Sequence, residues 1–187
     1  GDTLFAKPPH VMIEKARVLP FDNCNGQIAV YSDGDIDNAD RYLIKTGALK
    51  PPYYWVILPN LPGGSPMQNP KAMVEVLMHY VNRIQEIDKD SEIVVCASGR
   101  AGTYLASFAM LLGLNIRIGM EDTVWKFPHK DEKIRKNLDT WYQFSQMARL
   151  LGREPYTPDE FKRKLGMQKP GGILRDKNGQ PVLSMVR

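Results

Sequence analysis

The chain has 187 residues, 43% hydrophobic and 25% charged, the ordinary balance of one soluble globular domain with a real core. No apolar run approaches the ~18 residues of a membrane span, and the opening "GDTLFAKPPH" lacks the pattern of a secretory signal. The net charge of +4 is uneven, with 14 Lys/Arg against 7 Asp/Glu in residues 126–187. No nucleic-acid motif accompanies that basic end, so it reads as solvated helix faces.

In chain order, "PPHVMIEKARVL" predicts a helix opened by proline, with Val11, Ile13, Ala16 and Val18 as its apolar positions. "QIAVYS" (27–32) predicts a short strand, and "DIDNADRYLIKTG" a helix ending at Gly47. "YYWVILP" (53–59) is a second, almost wholly apolar strand. The tight loop "NLPGGSP" (60–66) follows, and Asn69 with Pro70 then opens a helix. Met73, Val74, Leu77, Val81 and Ile84 recur there at helical spacing.

"EIVVCAS" (92–98) predicts the third strand, and "GRAGTYLASFAMLLG" a helix closed by Gly113. "NIRIGM" predicts the fourth strand. A long helix is expected from about Asp131 to Leu151, with Ile134, Leu138, Trp141, Ser145, Ala148 and Leu151 on one side. Thr157, Pro158 and Glu160 form a capping-box pattern for a last helix. Residues 168–187 read as a tail, extended or with a hairpin around "KNGQ".

Strands alternating with helices, each strand continuously apolar, predict a parallel sheet covered by helices. Composition leaves open a doubly wound sheet or part of a (β/α)8 barrel, a full barrel needing roughly 250 residues.

The chemistry concentrates at the fourth strand. Side chains alternate along a strand, so Arg117, Gly119 and Glu121 would share one face, and Ile116, Ile118 and Met120 the other. The apolar set suits the helix layer, which turns Arg117 inward. A buried arginine needs a carboxylate or an anionic ligand. Glu121 and Asp122 fall at the carboxyl end of the strand, where parallel α/β proteins build their sites. On residues alone, a structural ion pair and a functional cluster fit equally well.

Two glycine-rich loops carry weaker signals. Gly63 and Gly64 in "NLPGGSP" allow a ligand close approach to the backbone, or simply make a tight βα loop. Arg100 in "SGRAG" opens a helix and could meet a carboxylate or a coenzyme A phosphate, or serve an ion pair. Neither loop matches a P-loop or GxGxxG fingerprint. Cys24 and Cys96 match no metal or redox spacing and read as free thiols of a reducing compartment. His10, His79 and His129 stand alone and read as non-ligands.

"RIGMED", preceded by "SGRAG…LASFAMLLGLN" and "VILPNLPGGSP", resembles the β-keto acid cleavage enzyme family, whose founding activity is 3-keto-5-aminohexanoate cleavage. The resemblance runs from about Pro8 to Met167 and includes the closing "ARLLGREPYTPDEFKRKLGM". It implies a zinc-dependent, cytoplasmic (β/α)8 enzyme that converts a β-keto acid and acetyl-CoA to acetoacetate and a new CoA ester. It implies Glu121 as a zinc ligand and Asp122 with Arg117 in proton transfer; Arg100, Gly63 and Gly64 are the cofactor-binding candidates of the two loops. It also implies a homo-oligomer.

The family's His-x-His ligand pair has no counterpart here. Residues 1–167 then correspond to the last four β/α units, the C-terminal half of the barrel. The N-terminal half barrel is expected in the same or another chain. A non-catalytic α/β half-barrel module acting in assembly is the competing expectation.

Overall fold

The computed structural model describes residues 7–19, 25–59 and 69–167. The loop 60–66 with Gly63 and Gly64, Cys24, and the tail 168–187 lie outside the described residues.

Four strands, β1 (Gln27–Val30), β2 (Tyr54–Ile57), β3 (Glu92–Cys96) and β4 (Asn115–Arg117), pair in parallel in the order β1-β2-β3-β4. Spatial order equals chain order, with none of the reversal that makes a doubly wound sheet. Helical segments make the connections: α2 (Asp33–Ala39, continuing as a π-helical turn over Asp40–Ile44), α3 (Pro70–Ile87) and α4 (Gly102–Leu111). Helix α1 (Pro9–Val18) precedes β1, while α5 (Asn137–Leu150) and α6 (Pro158–Lys164) follow β4.

The expected caps form. The Asn69 side-chain oxygen accepts from the Lys71 and Ala72 amides at 2.9 and 3.4 Å, with Pro70 in the first helical turn. Thr157 and Glu160 cap α6 reciprocally. Such caps occupy the amide donors that a helix start leaves without partners.

The pleat divides the apolar residues into two layers. Ile28, Val30, Trp55, Ile57, Ile93 and Val95 join Leu77, Ile84, Leu105 and Ala109 in one core under the helices. Val56, Leu58, Val94 and Cys96 form a second buried cluster from the alternate strand positions. Burial of both faces accounts for the unbroken apolar strand sequences.

Three expectations are corrected. β4 ends at Arg117, and the chain then turns, with the Asp122 and Thr123 amides donating to the Gly119 carbonyl at 3.1 Å. Glu121 therefore does not continue the strand face. The long helix starts at Asn137 rather than near Asp131, because residues 131–136 are held in an extended return arm. Trp125 and Lys133 make an antiparallel bridge, the Lys126 amide donates to the Glu132 carbonyl, and the Ile134 amide donates to the Val124 carbonyl. The buried face of the helix is only partly the expected one: Ser145 is buried and Ala148 packs against the core, Thr140 and Phe144 are buried as well, and Leu138, Trp141 and Leu151 are exposed.

Helix α6 lies at the starts of the strands. Phe161 packs edge-on to Tyr54, with ring centroids 5.7 Å apart. Lys164 Nζ pairs with Glu92 Oε1 at 2.8 Å, and Asn25 Nδ2 donates to the Leu165 carbonyl at 2.9 Å. The hydrogen bond to Glu92 leads the rise of the Lys164 pKa above the ordinary lysine value. A raised lysine pKa stabilises the fold fully below the unfolded value of about 10.4, and the contribution disappears as pH rises through the folded value. Lys164→Met should therefore lower the urea midpoint slightly at neutral pH, and the gap from wild type should close above about pH 10. A gap that does not change with pH would assign the effect to packing of the lysine stem.

Candidate active site

Arg117 is the last residue of β4, and its Cα pairs in register with Cys96 at the end of β3. That register puts Arg117 on the face of Val94 and Cys96, away from the helix layer. The inward arginine expected from strand alternation is thus present.

Its partners are the two acids. Arg117 Nε donates to Asp122 Oδ2 at 3.0 Å and Nη2 donates to Asp122 Oδ1 at 2.9 Å, a bidentate fork. Nη2 also donates to Glu121 Oε2 at 2.8 Å. The Gly119 turn makes this possible by folding Asp122 back toward the strand end. The two acids differ sharply in exposure: the Asp122 side chain is 9% exposed and that of Glu121 is 85% exposed. Burial alone would lower the Arg117 pKa, but the Asp122 charge, followed by Cys96 and Glu121, moves it above its ordinary value.

Backbone bonds fix the pair to β3. The Ala97 amide donates to the Arg117 carbonyl at 2.9 Å, and the Gly99 amide to the Asp122 carbonyl at 3.0 Å. Gly99 has φ of +67°, a conformation glycine adopts without side-chain conflict. Sequence reasoning read Cys96 only as a free thiol and missed its place beside Asp122. Burial first, then the neighbouring Asp122, pushes this thiol up to about 12, so it is present as S–H.

Arg100 is engaged locally. Its Nε donates to the Pro128 carbonyl at 3.0 Å, its Nη2 pairs with Asp131 at 2.6 Å, and its guanidinium lies 4.0 Å from the centroid of the Trp125 ring. Thr103 Oγ1 adds a bond to the Lys126 carbonyl at 2.9 Å. The start of α4 is therefore laced to the loop after Asp122.

Among the described residues, no group of three or more His, Cys, Asp or Glu side chains is placed to hold a metal ion. Glu121 is suited to act as one ligand, because its carboxylate is open to solvent and only Oε2 is engaged. Cys96 is fully buried beneath the strand ends and is not grouped with Glu121 as a ligand set. The described donors thus fit one corner of a zinc site. His79 lies apart from it, 2.9 Å from Asp33.

The family model for beta-keto acid cleavage enzyme matches residues 1–167. The chain belongs to this family. It is 25% identical over 169 residues to the 3-keto-5-aminohexanoate cleavage enzyme of Acetoanaerobium sticklandii, covering 90% of this chain and 58% of that protein. It is 26% identical to the enzyme of the same name from Fusobacterium nucleatum, covering 90% and 57%. The chain thus spans somewhat over half the length of these relatives.

Among solved structures, it is similar to the apo structure of ObcA, with TM-score 0.71 and 16% identity, over 86% of this chain and 40% of that one. The ternary complex of ObcA with C4-CoA adduct and oxalate gives TM-score 0.64 and 18% identity, over 86% and 41%. At such identity the likeness establishes the fold: this member of the beta-keto acid cleavage enzyme family has the α/β architecture of about four units of a (β/α)8 barrel. No described helix is long and apolar enough to cross a membrane.

Proposed function

We propose that residues 1–167 form the C-terminal half of a β-keto acid cleavage enzyme, with residues 168–187 as a tail. The enzyme takes a β-keto acid and acetyl-CoA to acetoacetate and a new CoA ester. The observation that carries this reading is the Arg117–Asp122 fork, with Glu121 beside it, at the carboxyl end of β4. This is where barrel enzymes gather their reacting groups. The family match supplies the reaction class.

In this reading, Asp122 accepts a proton from the keto acid and readies it for attack on the thioester of acetyl-CoA. The guanidinium of Arg117 orients Asp122 through two bonds and faces the negative charge that develops on the substrate. The two backbone bonds from Ala97 and Gly99 keep both groups in place during that transfer. Glu121 holds zinc together with ligands from the N-terminal half barrel. When bound, the metal would supply Lewis-acid polarisation of the ketone. A coenzyme A ester as co-substrate is in keeping with ObcA, whose structure holds a C4-CoA adduct. The working enzyme is a cytoplasmic homo-oligomer, a setting that suits the free, buried Cys96 thiol.

Glu121→Gln tests the metal role. The substitution removes a charged ligand from an exposed position, so the fold should persist. Zinc per complete active site should fall by at least about tenfold at limiting metal, the scale of a disturbed ligand environment. Zinc content by elemental analysis, read beside the urea midpoint, decides the question. Unchanged zinc with lower stability would make Glu121 only a partner of Arg117.

A further inference from the structure

The segment after Asp122 is built, not merely basic. Residues 124–134 fold back on themselves through the Trp125–Lys133 bridge and two backbone bonds, with Ile134 buried as the anchor. Arg100 and Thr103 fasten it to the start of α4. Lys126 and Lys130 each lie 5.4 Å from the centroid of the Phe127 ring, while Arg100 and Lys133 flank Trp125 at 4.0 and 5.6 Å.

The local acids are already committed. Asp131 pairs with Arg100, Glu132 pairs with Lys126, and Asp139 accepts from the Arg135 and Lys136 amides. Lys130, Lys133, Arg135 and Lys136 are exposed, and no described carboxylate forms an ion pair with them. Four cations on a braced loop beside the reacting acid make a concentrated positive field. Solvated helix faces would instead alternate sign and carry no aromatic platform.

We infer that the 124–136 loop is a phosphate-binding site that takes the phosphate groups of the coenzyme A thioester and leaves its thioester end to reach Asp122. The inference rests on the proposed function and gives the co-substrate a docking site on this chain. Lys130, Lys133 and Arg135 contact the phosphates, while Arg100 is the positioning residue that holds the loop to α4. The rings of Phe127 and Trp125 hold the Lys130 and Lys133 ammonium groups close to the loop surface.

The test is titration calorimetry of the complete enzyme with coenzyme A, pantetheine and inorganic pyrophosphate at low and high salt. The variants are Lys130→Ala/Lys133→Ala/Arg135→Ala and the charge-keeping Lys130→Arg/Lys133→Arg/Arg135→Lys. Wild type should bind coenzyme A about tenfold or more tightly than pantetheine, the sum of a few exposed ion pairs, and the preference should shrink with salt. The alanine triple should lose that preference and bind pantetheine as wild type does, and the charge-keeping triple should retain it. The inference is overturned if the alanine triple binds coenzyme A normally, if wild type binds no coenzyme A, or if saturating pyrophosphate leaves coenzyme A binding unchanged. Turnover with acetyl-CoA separates this from the function itself. Turnover with an unchanged acetyl-CoA KM in the alanine triple defeats the docking site alone. Absent turnover with charge-dependent coenzyme A binding defeats the reaction alone.

Discussion

Asp122→Asn is expected to lower kcat/KM of the complete enzyme by about 10²- to 10⁴-fold, the range for a lost acid–base group. The substitution keeps the shape of the side chain and removes its capacity to take a proton. It also places an amide donor against the guanidinium donors that Asp122 now receives at 2.9 and 3.0 Å. One of the two fork bonds must break, and a buried polar group left unpaired costs about 1–3 kcal/mol. Glu121 retains its contact with Arg117, which limits the structural damage. The expected signature is therefore a large loss of kcat with a modest drop in urea midpoint and normal zinc content. Turnover within a few-fold of wild type would reduce Asp122 to a structural partner of Arg117.

The largest stability effect from a single methyl group is expected at Gly102. A Cβ there would lie 2.4 Å from the Ala97 carbonyl oxygen and 2.9 Å from its carbon. Both are backbone atoms at the end of β3, so no side chain can swing aside. The first turn of α4 must move away from the sheet, and overpacking of this kind costs about 3 kcal/mol. Gly34→Ala is the contrasting substitution. Its Cβ would meet nothing nearer than the Ser32 hydroxyl at 3.9 Å, and it sits within α2. There, the helix preference for alanine should raise stability by about 0.5 kcal/mol. Urea midpoints of the two variants should move in opposite directions. Equal shifts would mean that helix preference, not the approach to Ala97, governs both positions.

The parts of the fold legible in the sequence were those fixed locally. Asn69–Pro70 and Thr157–Glu160 are caps whose partners lie within three residues, and both formed. β2 and β3 were visible because burial on both faces leaves a nearly unbroken apolar run. The start of α5 was not visible. Residues 131–136 have helical composition, yet their backbone groups pair with 124–126, a contact that no local pattern announces. The orientation of α5 was legible only in part for a related reason: Leu138 and Trp141 have the period of a core stripe but are exposed.

At the site, strand alternation was enough to turn Arg117 inward, because β4 is regular up to that residue. Its pairing with Asp122 depends on the Gly119 turn and could not be read from the strand period. Placing Cys96 beside Asp122 required the register between β3 and β4, which is a property of two segments together. The partner of Arg100, 31 residues away in the chain, likewise emerges only from the fold.

The amide bonds from Ala97 and Gly99 have a consequence for how this family can diversify. They bind Asp122 and Arg117 to the chain just after β3, so the fork has no hinge of its own. The loop between β3 and α4 acts as a jig that sets one position for the pair. If the pair performs the proposed proton transfer, a change of keto acid is accommodated around that fixed point, by exchanging the side chains that meet the rest of the substrate.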